Sequence, residues 1–222
     1  MVEVSTSLLN VAKENAIATI YNIEIAKTDY FHIDVMDGKF VEKDTTEMMH
    51  EYSNHIKQIS NLPLDVHLMV EDIKSYIDSF IPYEPNIITF HLEACKDKKE
   101  VLDLIRYIKE NNVKVGISIK PNTKIEDILE FLPLIHLVLI MTVEPGLGGQ
   151  KLIPETIDKV KALKEYIINN NIDIDIEVDG GINLENKEIL KEAGANIIVA
   201  GSAIINSKDF KETIQKIKET IF

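Results

Sequence analysis

Short apolar runs alternate with longer amphipathic stretches from one end of this chain to the other. Runs near residues 2–8, 30–36, 63–69, 86–92, 113–119, 136–143, 172–178 and 196–200 are rich in Val, Ile and Leu and have strand length. Between them lie helical patterns. The clearest are Val101, Leu104, Ile105 and Ile108, and Phe210, Ile214, Ile217 and Ile221, where steps of three and four place each set on one helix face. Eight strands each followed by a helix, in 222 residues, predict an α/β chain closed into a (β/α)₈ TIM barrel. A doubly wound open sheet is the alternative. No linker, low-complexity stretch or composition shift interrupts residues 1–222, so a single barrel domain is expected.

Parity within the strands adds a second pattern, because successive side chains of a strand point to opposite faces. In the run from Tyr30 to Gly38, His32, Asp34 and Met36 share one face, and Phe31, Ile33 and Val35 share the other. The next strand repeats it, with Leu64, Val66 and Leu68 on one face and Asp65, His67 and Met69 on the other. In the seventh, Ile172, Ile174, Ile176 and Val178 form the outward face and leave Glu177 and Asp179 pointing inward. Three strands thus send acids or histidines into one lumen, which is costly unless the groups pair or bind a cation. Barrel enzymes carry their sites at the C-terminal ends of the strands. Ser7, His32 and Asp34, His67, His91 and Glu93, Ser118 and Lys120, and Asp179 all fall at such ends.

Composition narrows the chemistry. The formal charge of −13 argues against nucleic-acid partners, which need a basic footprint. Arg106 is the only arginine, so a phosphate ligand would rest mainly on backbone N–H groups and helix N-termini, with a lysine as possible help. The lone Cys95 excludes an intrachain disulfide and a multi-thiolate metal site, and reads as a small filler. No segment approaches the roughly 20 consecutive apolar residues of a membrane span. The acidic start, Met1-Val2-Glu3-Val4-Ser5, reads as a strand and not a signal peptide, which makes a cytoplasmic protein the default expectation.

Two constellations carry the candidate chemistry. His32, Asp34, His67 and Asp179 offer two imidazoles and two carboxylates, enough to hold zinc, manganese, iron or cobalt with room for substrate oxygens. A hydrogen-bonded polar core is the bland reading of the same four. His91 is expected to orient a ligand or pair with Glu93, and His50, His55 and His136 are expected to be structural or solvated. The second constellation is glycine-rich: Gly146, Gly148 and Gly149 after the sixth strand, Gly180 and Gly181 after the seventh, Gly201 and Ser202 after the eighth. Glycine lets backbone approach an anion closely, although it also suits any turn. Met36, Met69 and Met141 recur at inward strand ends as core filling or as an apolar wall around a reactive intermediate.

These residues resemble the ribulose-phosphate 3-epimerase family. The matching segments are Ser5-Thr6-Ser7-Leu8-Leu9, His32-Ile33-Asp34-Val35-Met36-Asp37-Gly38, Asp65-Val66-His67-Leu68-Met69-Val70, Met141 through Gln150, Val178-Asp179-Gly180-Gly181-Ile182 and Ala200-Gly201-Ser202-Ala203. The resemblance runs from the first strand to the last. It implies a barrel of the ribulose-phosphate-binding type and an isomerase of pentose phosphate metabolism that interconverts D-ribulose 5-phosphate and D-xylulose 5-phosphate by inverting C3. It implies one divalent metal ion on His32, Asp34, His67 and Asp179, with Asp34 and Asp179 also the acid/base pair. Ser7, His67 and Asp179 would contact the sugar, and Gly146, Leu147, Gly148, Gly149, Gly180, Gly181, Gly201 and Ser202 would line the phosphate end. A homo-oligomer, dimer or hexamer, is implied by the same analogy. The chain departs from the family pattern at Thr6, at Leu147, at Glu42-Lys43 with the residues that follow, and at Lys120. Those changes leave two other readings open: a 3-epimerase of another ketose phosphate such as allulose 6-phosphate, and a non-catalytic sugar-phosphate-binding barrel.

Overall fold

Alternation of the two strand faces organises the molecule, which is described here over residues 2–219 of a computed structural model. Eight strands, β1 (Glu3–Ser7), β2 (Tyr30–Met36), β3 (Leu64–Met69), β4 (Ile87–His91), β5 (Lys114–Ile119), β6 (Leu137–Met141), β7 (Asp175–Asp179) and β8 (Ile197–Ala200), pair in parallel and in sequence order. The barrel closes where β8 pairs with β1, setting Val4 opposite Ile198 and Thr6 opposite Ala200. This is the predicted (β/α)₈ barrel, and closure rules out the open sheet. The strands are buried on both faces, so what alternates is chemistry more than exposure.

The outward face of each strand carries branched apolar residues such as Ile33, Val35, Val66, Leu68, Ile176 and Val178, which pack beneath the helices in one continuous core. The helices are α1 (Ala16–Ile25), α2 (Thr46–Ile59), α3 (Ile73–Phe80), α4 (Lys98–Glu110), α5 (Glu155–Asn169), α6 (Lys187–Ala193), α7 (Ser202–Ile205) and α8 (Phe210–Lys218). In α4 the predicted stripe of Val101, Leu104, Ile105 and Ile108 is the buried face, and the Asp97 carboxylate accepts the Glu100 N–H at 2.9 Å to cap the first turn. Asp209 caps α8 in the same way, through the Glu212 N–H at 2.9 Å. Ile214 and Ile217 of α8 are buried as expected, and Phe210 is partly buried against the core; Ile221 lies outside the described residues, as does Met1 of the predicted first strand.

One expectation needs correcting. The segment between β5 and β6 holds no α-helix but two 3₁₀ turns, Ile125–Asp127 and Leu129–Leu134. Pro133 lies inside the second, where it removes a backbone donor and clashes with the preceding turn of an α-helix. Ile128, Phe131 and Leu132 are buried there and supply the apolar cover that a helix gives elsewhere. The Lys159 ammonium of α5 ties the segment down by donating to the carbonyls of Lys120, Pro121 and Thr123 at 2.9, 2.7 and 2.5 Å.

The lumen is divided. Ile87, Leu137, Leu139, Met141, Val143 and Ile197 form a separate apolar cluster inside the barrel, with Tyr30 packed against it. Ser5, His32, Asp34, Asp65, His67 and Glu177, all nearly or wholly buried, are the polar contribution of β1, β2, β3 and β7.

Candidate active site and metal centre

Register brings the polar residues together. Asp34 of β2 pairs in register with His67 of β3, and Met36 with Met69, so the reactive side chains of two strands stand at one height. Asp179 ends β7 in register with Met141 of β6, on the far side of the mouth. His32 Nε2 lies 3.3 Å from Asp34 Oδ1 and 3.9 Å from Asp179 Oδ2. His67 Nδ1 lies 3.5 Å and 3.8 Å from the same two oxygens. The four donor atoms fall within 4.8 Å of one another.

Both of those imidazole nitrogens are buried without a hydrogen-bond partner. An unanswered buried polar atom costs about 1–3 kcal/mol, and two aimed at the same pair of carboxylate oxygens mark a space shaped for a cation. A set of two imidazole nitrogens and two carboxylate oxygens suits a first-row divalent metal. The residues present therefore fit the divalent metal that the family resemblance implies.

The surroundings hold each donor in place. Ser7 Oγ donates to Asp34 Oδ2 at 2.7 Å, leaving Oδ1 to face the histidines. Thr45, from the loop after β2, donates to the Asp34 carbonyl at 2.6 Å and accepts the Met36 N–H at 2.9 Å. His32 Nδ1–H donates to Asp65 Oδ2 at 2.5 Å, and that oxygen also accepts Ser5 Oγ–H at 2.7 Å. A carboxylate behind a ligating imidazole fixes its tautomer and its ring plane. His67 Nε2 meets His91 Nε2 at 3.0 Å, and His91 Nδ1 pairs with Glu93 Oε2 at 3.0 Å, the pairing expected of it.

Charge follows burial and neighbours. Burial alone would lower the His32 pKa, but the Asp65 and Asp34 carboxylates outweigh it and raise it well above the usual value. Burial alone would raise Asp34, yet His32 and His67 hold it well below the carboxylate range. Burial and the negative charge of Asp34 push Asp179 up to about 6. The two facing carboxylates are thus driven apart in acidity. Glu177, completely buried, is pushed well above its usual value by burial and by Asp65.

Above the cluster opens one pocket, and it is lined by Ser7, Asp34, Met36, Met69, Met141, Asp179 and the three glycine loops, including Leu147, Gly201 and Ser202. His32 and His67 lie fully buried beneath it. Of the three loops only the last runs straight into a helix, since α5 starts at Glu155 and α6 at Lys187. Gly181 also has a packing reason. Its φ is +69°, and a Cβ there would stand 2.4 Å from the Leu152 amide nitrogen. Asn10 lines the same pocket against Gly148 and was not among the predicted residues, because a loop three residues past β1 carries no period to read. Arg106 sits on exposed α4 beside Asp103, away from the pocket lining. The remaining histidines are structural or solvated, as expected: His50 stacks on Phe80, His55 faces Glu51, and His136 accepts the Val115 N–H.

A closed parallel barrel with convergent histidines and aspartates at its C-terminal mouth places this chain among the (β/α)₈-barrel enzymes. The model of the ribulose-phosphate 3 epimerase family matches residues 3–205, and the chain belongs to that family. It is similar to the ribulose-phosphate 3-epimerase of Bacillus subtilis, 38% identical over 219 residues that cover 98% of this chain and 99% of the relative. It is similar as well to the Methanocaldococcus jannaschii enzyme of the same name, 36% identical over 219 residues, covering 99% of this chain and 91% of that one. The family is one of isomerases. Among solved structures, 3-hexulose-6-phosphate synthase superposes with a TM-score of 0.69 at 13% identity, covering 97% of both chains, a likeness of fold. Among the described residues no helix is long and apolar enough to cross a membrane.

Proposed function

We propose that this chain is a metal-dependent epimerase that interconverts D-ribulose 5-phosphate and D-xylulose 5-phosphate by inverting C3. One observation carries the proposal: in a member of the epimerase family, two carboxylates on strands β2 and β7 face each other across two unpartnered imidazole nitrogens beneath a glycine-lined pocket. The C3 proton sits next to the C2 ketone, and its removal leaves an enediolate. His32, Asp34, His67 and Asp179 would hold a divalent cation, which would supply positive charge to stabilise such an anion.

The protein's own groups do the proton work. Asp34 takes the C3 proton on one face, and Asp179 delivers a proton to C3 from the other, with the roles exchanged in the reverse direction. Ser7, which holds Asp34 Oδ2, keeps that carboxylate aimed while it changes charge. Ser7 and Asp179, which line the pocket, contact the sugar, while His67, expected there too, lies buried beneath the lining and serves as a metal ligand only. Met36, Met69 and Met141 wall the reacting carbon from water. The phosphate lies against Gly146 to Gly149, Gly180, Gly181, Gly201 and Ser202. The same reading carries a single-domain, cytoplasmic chain that works as a dimer or hexamer.

The test is exchange of the substrate C3 hydrogen with deuterated water, followed by NMR on chelator-stripped protein reconstituted with zinc, iron, manganese or cobalt. Metal-dependent washout with both pentulose phosphates is the expected result. No exchange with any metal would instead favour the sugar-phosphate-binding reading. A second substrate reading, a six-carbon ketose phosphate such as allulose 6-phosphate, rests on the departures at Glu42-Lys43 and at Lys120, whose Nζ stands 4.1 Å over the Phe40 ring. Comparison of kcat/KM across phosphoketoses separates the two.

A further inference from the structure

His67 can serve a metal only through Nδ1, since that atom faces Asp34 and Asp179 while Nε2 faces His91. A neutral imidazole carries one proton, so the metal-competent form of His67 must hold it on Nε2 and leave Nδ1 with a free lone pair. Nothing within the ring makes that choice. His67 Nε2 and His91 Nε2 are 3.0 Å apart, and exactly one of the two must donate.

The choice is made two residues further out. Glu93 Oε1 accepts the Lys120 N–H at 2.7 Å and the Thr123 hydroxyl, so the carboxylate is fixed as an acceptor. Its other oxygen stands 3.0 Å from His91 Nδ1, which must therefore carry a proton and donate it. His91 Nε2 is then left as an acceptor, and His67 Nε2–H donates a hydrogen bond to it. The chain is shielded from water: both rings are fully buried, and the Phe40 ring packs 4.9 Å from that of His91.

We infer that Glu93 is a positioning residue which, through His91, sets the tautomer of His67 and so presents the Nδ1 lone pair to the metal. The inference rests on the reading of His67 as a ligand. It assigns to a residue outside the pocket a control over the donor set that Asp65 exerts on His32 by direct contact.

Glu93→Gln is the isosteric test. The amide oxygen is held on the side of the Lys120 N–H and Thr123 hydroxyl, because the opposite orientation would set donor against donor. Its NH₂ then faces His91 Nδ1, which becomes an acceptor, so His91 carries its proton on Nε2 and His67 on Nδ1, against the metal. ¹⁵N NMR of the imidazoles in metal-free protein at mildly alkaline pH reads this directly. Expected are protons on His67 Nε2 and His91 Nδ1 in the wild type, both moved to the other nitrogen in E93Q. Zinc affinity, measured by chelator competition, should fall about 10- to 100-fold in the variant. A wild-type His67 protonated on Nδ1 overturns the inference without any variant, as does an E93Q protein of unchanged affinity. Should the wild type bind no zinc while its tautomers are as stated, the ligand reading itself fails, and the inference falls with it by a distinguishable route.

Discussion

The residues that fill the lumen divide into two sets of opposite material. Strands β1, β2, β3 and β7 contribute the polar half, Ser5, His32, Asp34, Asp65, His67 and Glu177, while β4, β6 and β8 contribute the apolar half, Ile87, Leu137, Leu139, Met141 and Ile197, and the two interleave around the barrel because β8 stands between β7 and β1. The apolar half lowers stability demands on the rest, since burying one such side chain contributes about 1.5–3 kcal/mol. It also keeps the local dielectric low, which strengthens every charge interaction across from it. The polar half stabilises little and, on the proposed function, is where the chemistry lies. Its hydroxyls and carboxylates answer one another, Ser5 to Asp65, Ser7 to Asp34 and Asp65 to His32, and the atoms left over include the two that point at a shared centre. Neither half would serve alone.

That division can be broken by experiment. The largest effect belongs to the polar half: Asp34→Asn should lower kcat/KM for C3 epimerisation by at least about 10³-fold, some 4 kcal/mol of barrier, with circular dichroism still reporting a folded barrel. Retained turnover would deny Asp34 its role as base. In the apolar half, Leu139→Ala should cost about 2–5 kcal/mol in urea unfolding while zinc affinity stays at the wild-type level, and a fall in affinity would show the halves to be coupled. The smallest effect lies at their boundary, where Glu93 ends the hydrogen-bond chain. Burial opposes its ionisation, but His91, Thr123 and the Lys120 N–H hold its pKa down at about 2. A depressed acid contributes stability that is present above its unfolded value near 4.5 and lost as pH falls toward 2. Discounted for its partly exposed side chain, this amounts to on the order of 2 kcal/mol. Acid titration of unfolding should show that loss in the wild type and not in E93Q.

Much of this was readable from the sequence, for a physical reason. Strands β2, β3 and β7 keep strict parity, so Asp34, His67 and Asp179 could be assigned to the lumen before their neighbours were known. The barrel followed from eight apolar runs, whose observed bounds differ from the predicted ones mostly by a residue or two. The first three residues of the seventh run, Ile172 to Ile174, stay outside β7, because an apolar run does not say where pairing begins. What escaped the sequence is what depends on contact between distant segments. Asp65 was seen to face inward, but its hold on His32 comes from the β2–β3 register. The loop after β5 that Lys159 grips and the Asn10 segment beside Gly148 have no period to read. The missing helix after β5 was foreshadowed only by Pro133.

The pairing of Asp34 with His67 has a bearing on how such a chain can change over generations. Side chains in β2 alternate with a period of two, so one residue gained or lost inside the strand would turn Phe31, Ile33 and Val35 inward and set His32 and Asp34 beneath the helices. A single lesion of that kind would remove the chemistry and flood the outer core with charge. Within the strands, inheritance is therefore confined to exchanging one residue for another of like character. Insertions and deletions have only the loops to occupy.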